Sequence, residues 1–154
     1  MGIALVAGFV VVGFAILTYN GLTSLRAMAD NAWSDIDVQL KRRYDLIPNL
    51  VETVKGYASH EAGTLQKVTE MRTRAMNAGS PSEKADAENM LSGALKSLFA
   101  VAENYPNLKA NENFLQLQSQ LEGTENRIAV ERRRFNEVVQ DYNVSAKRIP
   151  TVLF

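Results

Sequence analysis

GIALVAGFVVVGFAIL, the stretch from Gly2 to Leu17, decides how the rest of the chain must be organised, and no charged side chain occurs from Met1 to Leu25. At 1.5 Å per residue, about 20 residues cross the ~30 Å hydrocarbon layer of a bilayer, so the run predicts a membrane-spanning helix. It is expected to end near Tyr19, whose ring suits the lipid–water boundary. Gly2, Gly8 and Gly13 do not oppose this, because glycine is common in membrane helices. A cleaved signal peptide would need a basic segment before the apolar run and a small-x-small site after it. No Lys or Arg precedes the run, and Ala15-Ile16-Leu17 does not fit such a site, so the segment is expected to stay as an anchor. Val6 stands where N-myristoylation at Gly2 would want Ser or Thr. The positive-inside rule counts cations close to the span. Arg26, with Lys41, Arg42 and Arg43 further on, favours a cytoplasmic location for everything after the anchor.

Beyond the anchor, apolar residues recur at steps of three and four, the signature of one buried face on a helix. Leu22, Leu25, Ala29, Ala32, Trp33, Ile36 and Leu40 mark a first helix continuing from the span, with no Gly or Pro up to Asp45. Such a helix would join anchor and bundle rigidly. Pro48 is read as the first turn of a second helix, where its missing N–H costs nothing; that helix carries Leu50, Val54, Tyr57, Leu65 and Val68 and ends near Ala78-Gly79. Ser80-Pro81-Ser82-Glu83 reads as a capping box opening a third helix, which buries Ala87, Leu91, Leu95 and Leu98 and stops before Pro106. A long fourth helix follows, with Phe114, Leu117, Leu121, Ile128, Phe135, Val138 and Tyr142 on its inner face. Short connections between long helices imply antiparallel neighbours. The expected fold is all-α: an N-terminal transmembrane helix continuing into an antiparallel up-down four-helix bundle. The expected divisions are an anchor over 1–21, a helical bundle over 22–148 and an apolar tail over 149–154. The last helix should return toward the bilayer, with turns at Lys41–Pro48 and Tyr105–Asn111 at the far end.

Little in the sequence points to catalysis. His60 is the only histidine, and the residue three places after Glu61 is Thr64, where a zinc-protease motif needs a second histidine. Gly79 and Gly123 are isolated and begin no phosphate-binding loop, and no Gly-x-Ser-x-Gly supports a hydrolytic triad. The 17 Lys and Arg balance 17 Asp and Glu, which disfavours nucleic-acid binding. Without cysteine there are no disulfides or thiolate ligands. No metal or cofactor is expected. Asp35/Asp37 and Glu122/Glu125 are spacings found throughout helical chains, and Arg132-Arg133-Arg134 reads as a solvated helix face.

The run from Ala32-Trp33-Ser34-Asp35-Ile36-Asp37-Val38-Gln39-Leu40 through Lys41-Arg42-Arg43, followed by Leu46-Ile47-Pro48-Asn49-Leu50-Val51, closely resembles the LemA family. So do Val54-Lys55-Gly56-Tyr57-Ala58, the stretch Ala102 to Asn111, and Glu125-Asn126-Arg127-Ile128-Ala129. The resemblance covers nearly the whole chain. It implies a bacterial-type, single-pass membrane protein with an antiparallel helical domain and no established catalytic activity, placed in the cell (inner) membrane. One relative takes part in forming the magnetosome membrane, which implies membrane organisation. Members usually extend beyond Ile149–Phe154, which leaves open a truncated or processed C-terminus.

Asp37, Lys41, Arg42, Arg43, Asn49, Tyr105, Pro106 and Asn111 match the family signature and, on the expected topology, gather at the membrane-distal end as a candidate interaction surface. Helix capping and turn geometry compete as an explanation, and Lys41–Arg43 would also complement a helix dipole. Two functions follow. A self-assembling membrane scaffold would be a homo-oligomer in the lipid bilayer; its sequence support is Ala4 with Gly8, a small-xxx-small spacing. A monomeric adaptor would instead hold a partner protein, such as a protease or sensor, through the distal surface.

Overall fold

A computed structural model describes residues 1–148. They form α1 (Gly2–Lys55), a single 3-10 turn (Ser59–Glu61), α2 (Ala62–Met76), α3 (Pro81–Ala102), the one-turn α4 (Pro106–Lys109) and α5 (Glu112–Lys147), with no strand among the described residues. The fold is all-α, as expected. The apolar tail over 149–154, expected beside the lipid, lies outside the described residues. Two compact units are present: Met1–Asp37 with the chain from Ala129 on, and Val38–Ile128.

In the first unit, the start of α1 is long and apolar enough to cross a membrane, and none of that window is buried against protein. Phe9 is 80% exposed and Leu17 72%. A continuous apolar surface of this kind marks a face that lipid or another protein covers. The part of α1 after the apolar run lies antiparallel to the end of α5. Trp33 meets the Phe135 ring at 5.6 Å, and Arg134 Nη1 lies 3.8 Å from Asp35 Oδ2.

The second unit is the bundle: the end of α1, then α2, α3, α4 and the start of α5. Ile36 is the last buried α1 residue of the first unit; from Leu40 through Ile47, Leu50 and Val54 the stripe continues in the second. Leu65 and Val68 of α2, Leu91 and Leu98 of α3, and Phe114 and Leu117 of α5 complete the core. Phe99 packs edge-on against Phe114 at 6.2 Å between centroids, joining α3 to α5. Ser80 caps α3: its Oγ accepts from Glu83 N at 3.1 Å, and Glu83 Oε2 reaches back to Gly79 N at 3.2 Å. That is the reciprocal arrangement expected of a capping box, shifted by one residue on the return bond.

The structure corrects the first turn. α1 does not stop at Lys41–Pro48; it runs through Pro48 to Lys55. A proline inside a helix removes one backbone donor and typically costs about 3 kcal/mol. The orphaned acceptor here is the Tyr44 carbonyl, four residues earlier, and Arg72 of α2 donates to it from Nε at 2.7 Å. The Pro48 ring is exposed, away from the core. The break falls instead at Gly56-Tyr57-Ala58, where Tyr57 N donates to Val54 O at 3.0 Å and tightens the last turn. Tyr57, expected in the core, is 45% exposed as a result.

Candidate functional site

Arg43 is the residue the structure moves furthest from expectation. It is 2% exposed, inside the bundle and off the surface. Along α1 it occupies the three-four stripe between Leu40 and Ile47, so a continuous helix must bury it. Its partner is Glu88 of α3, 1% exposed and itself between Ala87 and Leu91 on an inner face. Arg43 Nη2 pairs with the Glu88 carboxylate and also donates to the Glu88 backbone carbonyl at 3.2 Å. Arg43 Nη1 donates to Ser92 Oγ at 2.9 Å. The Tyr44 hydroxyl donates to the second Glu88 oxygen. Both charges are thus paired and hydrogen-bonded, the condition under which ions persist in a core. Arg43 Nε and Gln39 Oε1, one turn earlier, have no hydrogen-bond partner.

The other residues of the candidate surface divide into two groups. Lys41, Arg42 and Asn49 are exposed along α1, and Asp37 is half-buried. Tyr105, Pro106 and Asn111 lie at the α3–α4–α5 connection. Asn111 caps α5, its Oδ1 accepting from Phe114 N at 3.0 Å, while its Nδ2 donates to the Tyr57 hydroxyl at 2.9 Å. That connection therefore sits beside the end of α1. Lys41 lies back along the same helix by about 20 Å, from the 1.5 Å rise per residue. Moving the turn from Lys41–Pro48 to Gly56–Ala58 is what separates the groups. The eight residues do not gather at one end.

Around the connection, the Tyr105 hydroxyl donates to Glu61 Oε1 at 3.1 Å. Partial burial first, then this hydrogen bond and the carboxylate's charge, push the Tyr105 phenol above its ordinary 10.0. Pro106 occupies the first turn of α4. Asn111 thus caps α5 and Pro106 opens α4, whereas the Tyr105 side chain makes no cap. His60 is exposed in the 3-10 turn, and no group of three or more His, Cys, Asp or Glu that could hold a metal occurs among the described residues. An open groove of about 810 Å³ runs between α1 and α2, with Val51, Leu65, Lys55 and Glu70 in its lining. The Thr69 and Thr73 hydroxyls in its lining donate back along α2, to the carbonyls of Leu65 and Thr69.

Sequence reasoning missed Glu88, Tyr44 and Arg72. The first had a signal: one acidic residue inside the apolar stripe of α3 answers one basic residue inside the stripe of α1. Arg72 had none, because its target is a backbone atom exposed only by Pro48.

The chain is similar in sequence to several known proteins. The protein LemA of Metamycoplasma hominis is 31% identical over 117 residues, covering 73% of this chain and 52% of that protein. Magnetosome protein MamQ of Magnetospirillum gryphiswaldense is 24% identical over 161 aligned positions, covering 88% of this chain and 59% of that protein. Magnetosome protein MamQ 1 of Paramagnetospirillum magneticum is similar to the same degree, 24% over 161 positions. The chain thus spans between half and three-fifths of the length of these curated relatives. Residues 32–154, the whole chain beyond Asn31, match the LemA family. With its apolar N-terminal helix and an Arg43–Glu88 pair inside the matched region, this membrane-associated helical protein belongs to the LemA family.

Proposed function

We propose that the protein is a non-enzymatic, single-pass membrane scaffold that assembles with copies of itself. The observation behind this is the first unit. Two helices alone cannot cover each other's outer faces, and Trp33 remains 45% exposed, Met28 42%, Val130 57% and Val144 42%. Copies anchored in one bilayer are held parallel and at high effective concentration, so modest lateral contacts suffice for assembly. α1 passes from the apolar run into the bundle without a linker, which suits a structural role. The relatives named magnetosome proteins support a place in membrane organisation. We assign the scaffold to the bacterial cell membrane, with the bundle in the cytoplasm, on the strength of Arg26 beside the span.

The test is the mass of the full-length protein in lipid nanodiscs, corrected for bound lipid. A discrete multi-copy assembly that falls apart on Trp33→Ser with Val130→Ser supports the scaffold. A monomer across the concentration range overturns it. The exposure of Lys41, Arg42 and Asn49 favours a second reading, a monomeric adaptor that presents this strip of α1 to an acidic partner protein. A monomer whose partner recovery depends on Arg42 would establish that reading.

A further inference from the structure

The first unit sets where α5 ends with respect to the membrane span. Trp33 with Phe135, and Asp35 with Arg134, fix the antiparallel register of α1 and α5. From Arg134 to Lys147 the unbroken α5 advances about 20 Å at 1.5 Å per residue. The same distance back along α1 from Asp35 reaches Leu22, within a turn of Tyr19 and the end of the apolar run. Lys147 and Arg148, both exposed, are therefore returned to the level at which α1 leaves the lipid. Arg26, also exposed, stands about 10 Å above Tyr19 on α1.

Charge in this band has one sign. Residues 22–27 of α1 and residues 142–147 of α5, which this register places at the same level, contain Arg26 and Lys147 and no Asp or Glu, and Arg148 directly follows α5. The nearest carboxylates in the sequence, Asp141 and Asp30, stand about 3 and 6 Å above the level of Arg26, at 1.5 Å per residue. A helix dipole explains cations at the end of α5, but not Arg26, nor the lack of acids on both helices at this one level. Cations within a Debye length of a bilayer, about 8 Å at physiological salt, are attracted to anionic headgroups.

We propose that the base of the α1–α5 pair binds anionic phospholipid headgroups through Arg26, Lys147 and Arg148. The inference rests on anchoring by α1 and not on self-assembly, since a monomer would bind headgroups equally well. Exposed side chains at the height of the phosphates would favour phosphatidylglycerol over phosphatidylcholine, by charge attraction that weakens with salt.

The experiment reconstitutes the full chain into nanodiscs of mixed phosphatidylglycerol and phosphatidylcholine. Native mass spectrometry then reads which lipids the protein retains on release. The wild type is expected to retain phosphatidylglycerol preferentially. Each of Arg26→Gln, Lys147→Gln and Arg148→Gln should lower the ratio, by up to about fivefold at low salt. Arg133→Gln, on α5 but roughly 20 Å further from the lipid, should leave the ratio unchanged, and unaltered helical ellipticity shows that each variant is folded. Equal retention of the two lipids by the wild type, or the same loss in Arg133→Gln, overturns the proposal. Assembly mass, read from the same spectra, separates this outcome from failure of the scaffold reading.

Discussion

Arg72 Nε lies 2.7 Å from the carbonyl oxygen of Tyr44, in the place of the N–H that Pro48 lacks. A side chain of α2 thereby completes the backbone hydrogen bonding of α1. Because the donor is charged, the bond belongs to the stronger class, worth about 1.5–3 kcal/mol. Arg72→Ala is expected to destabilise the protein by that amount. In a Pro48→Ala background, where residue 48 supplies its own N–H, the same substitution should cost under about 1 kcal/mol. Denaturant titrations of the four proteins of this cycle, followed by helical ellipticity in one detergent, measure the coupling. Equal costs in both backgrounds would show that Arg72 acts elsewhere.

Arg42 and Arg43 are neighbours in sequence and opposites in environment. Removing Arg43 strands the Glu88 carboxylate in the core, and breaking a buried pair from one side costs about 3–5 kcal/mol. Arg43→Ala should therefore unfold the bundle or lower its melting temperature sharply. Arg42→Ala should change stability by less than about 0.5 kcal/mol. Replacing both ions with apolar residues, Arg43→Met with Glu88→Leu, should recover much of the loss. Thermal melts of these variants decide the point. For the same reason Arg42→Ala is the clean probe of a partner surface, and Arg43→Ala is not.

Much of this was open to sequence reasoning, for local reasons. The span is written in its hydropathy, and the start of α3 in Ser80-Pro81-Ser82-Glu83, because both signals lie within one segment. The end of α1 was not legible. Proline in a first turn is the cheaper local solution, and the donor that makes an interior proline tolerable comes from a different helix. That one misplaced turn also scattered the candidate surface. A run of three cations points to an exposed Arg43, although its spacing from Leu40 and Ile47 places it on the buried face.

Asn111 does two tasks that substitution can separate. Asn111→Ala removes the α5 cap and should cost about 1 kcal/mol. Asn111→Asp keeps an oxygen for Phe114 N and loses only the donation to the Tyr57 hydroxyl, so its cost should be smaller. Equal losses for the two variants in denaturant titrations would mean that the bond to Tyr57 matters more than the cap.

The Tyr105 phenol ionises above its ordinary 10.0. A raised folded-state value means that the folded protein holds this proton more tightly than the unfolded chain. The associated stability is complete below about pH 10 and is lost as pH rises through the folded value. The difference in phenolate absorbance between wild type and Tyr105→Phe isolates this one titration. Glu61→Gln should move it down toward 10.0, since the carboxylate is a cause of the shift. An unmoved titration would leave burial as the whole explanation.

Trp33 is the only tryptophan in the chain, and it packs on Phe135 within the first unit. The bundle contains none. Emission excited selectively at tryptophan therefore reports on the α1–α5 pair alone, while helical ellipticity follows the whole molecule. The pair can thus be watched against the rest in one unlabelled sample. Coincident transitions would make the molecule a single cooperative unit, and an earlier loss of the Trp33 signal would make the pair nearest the lipid the first part to open.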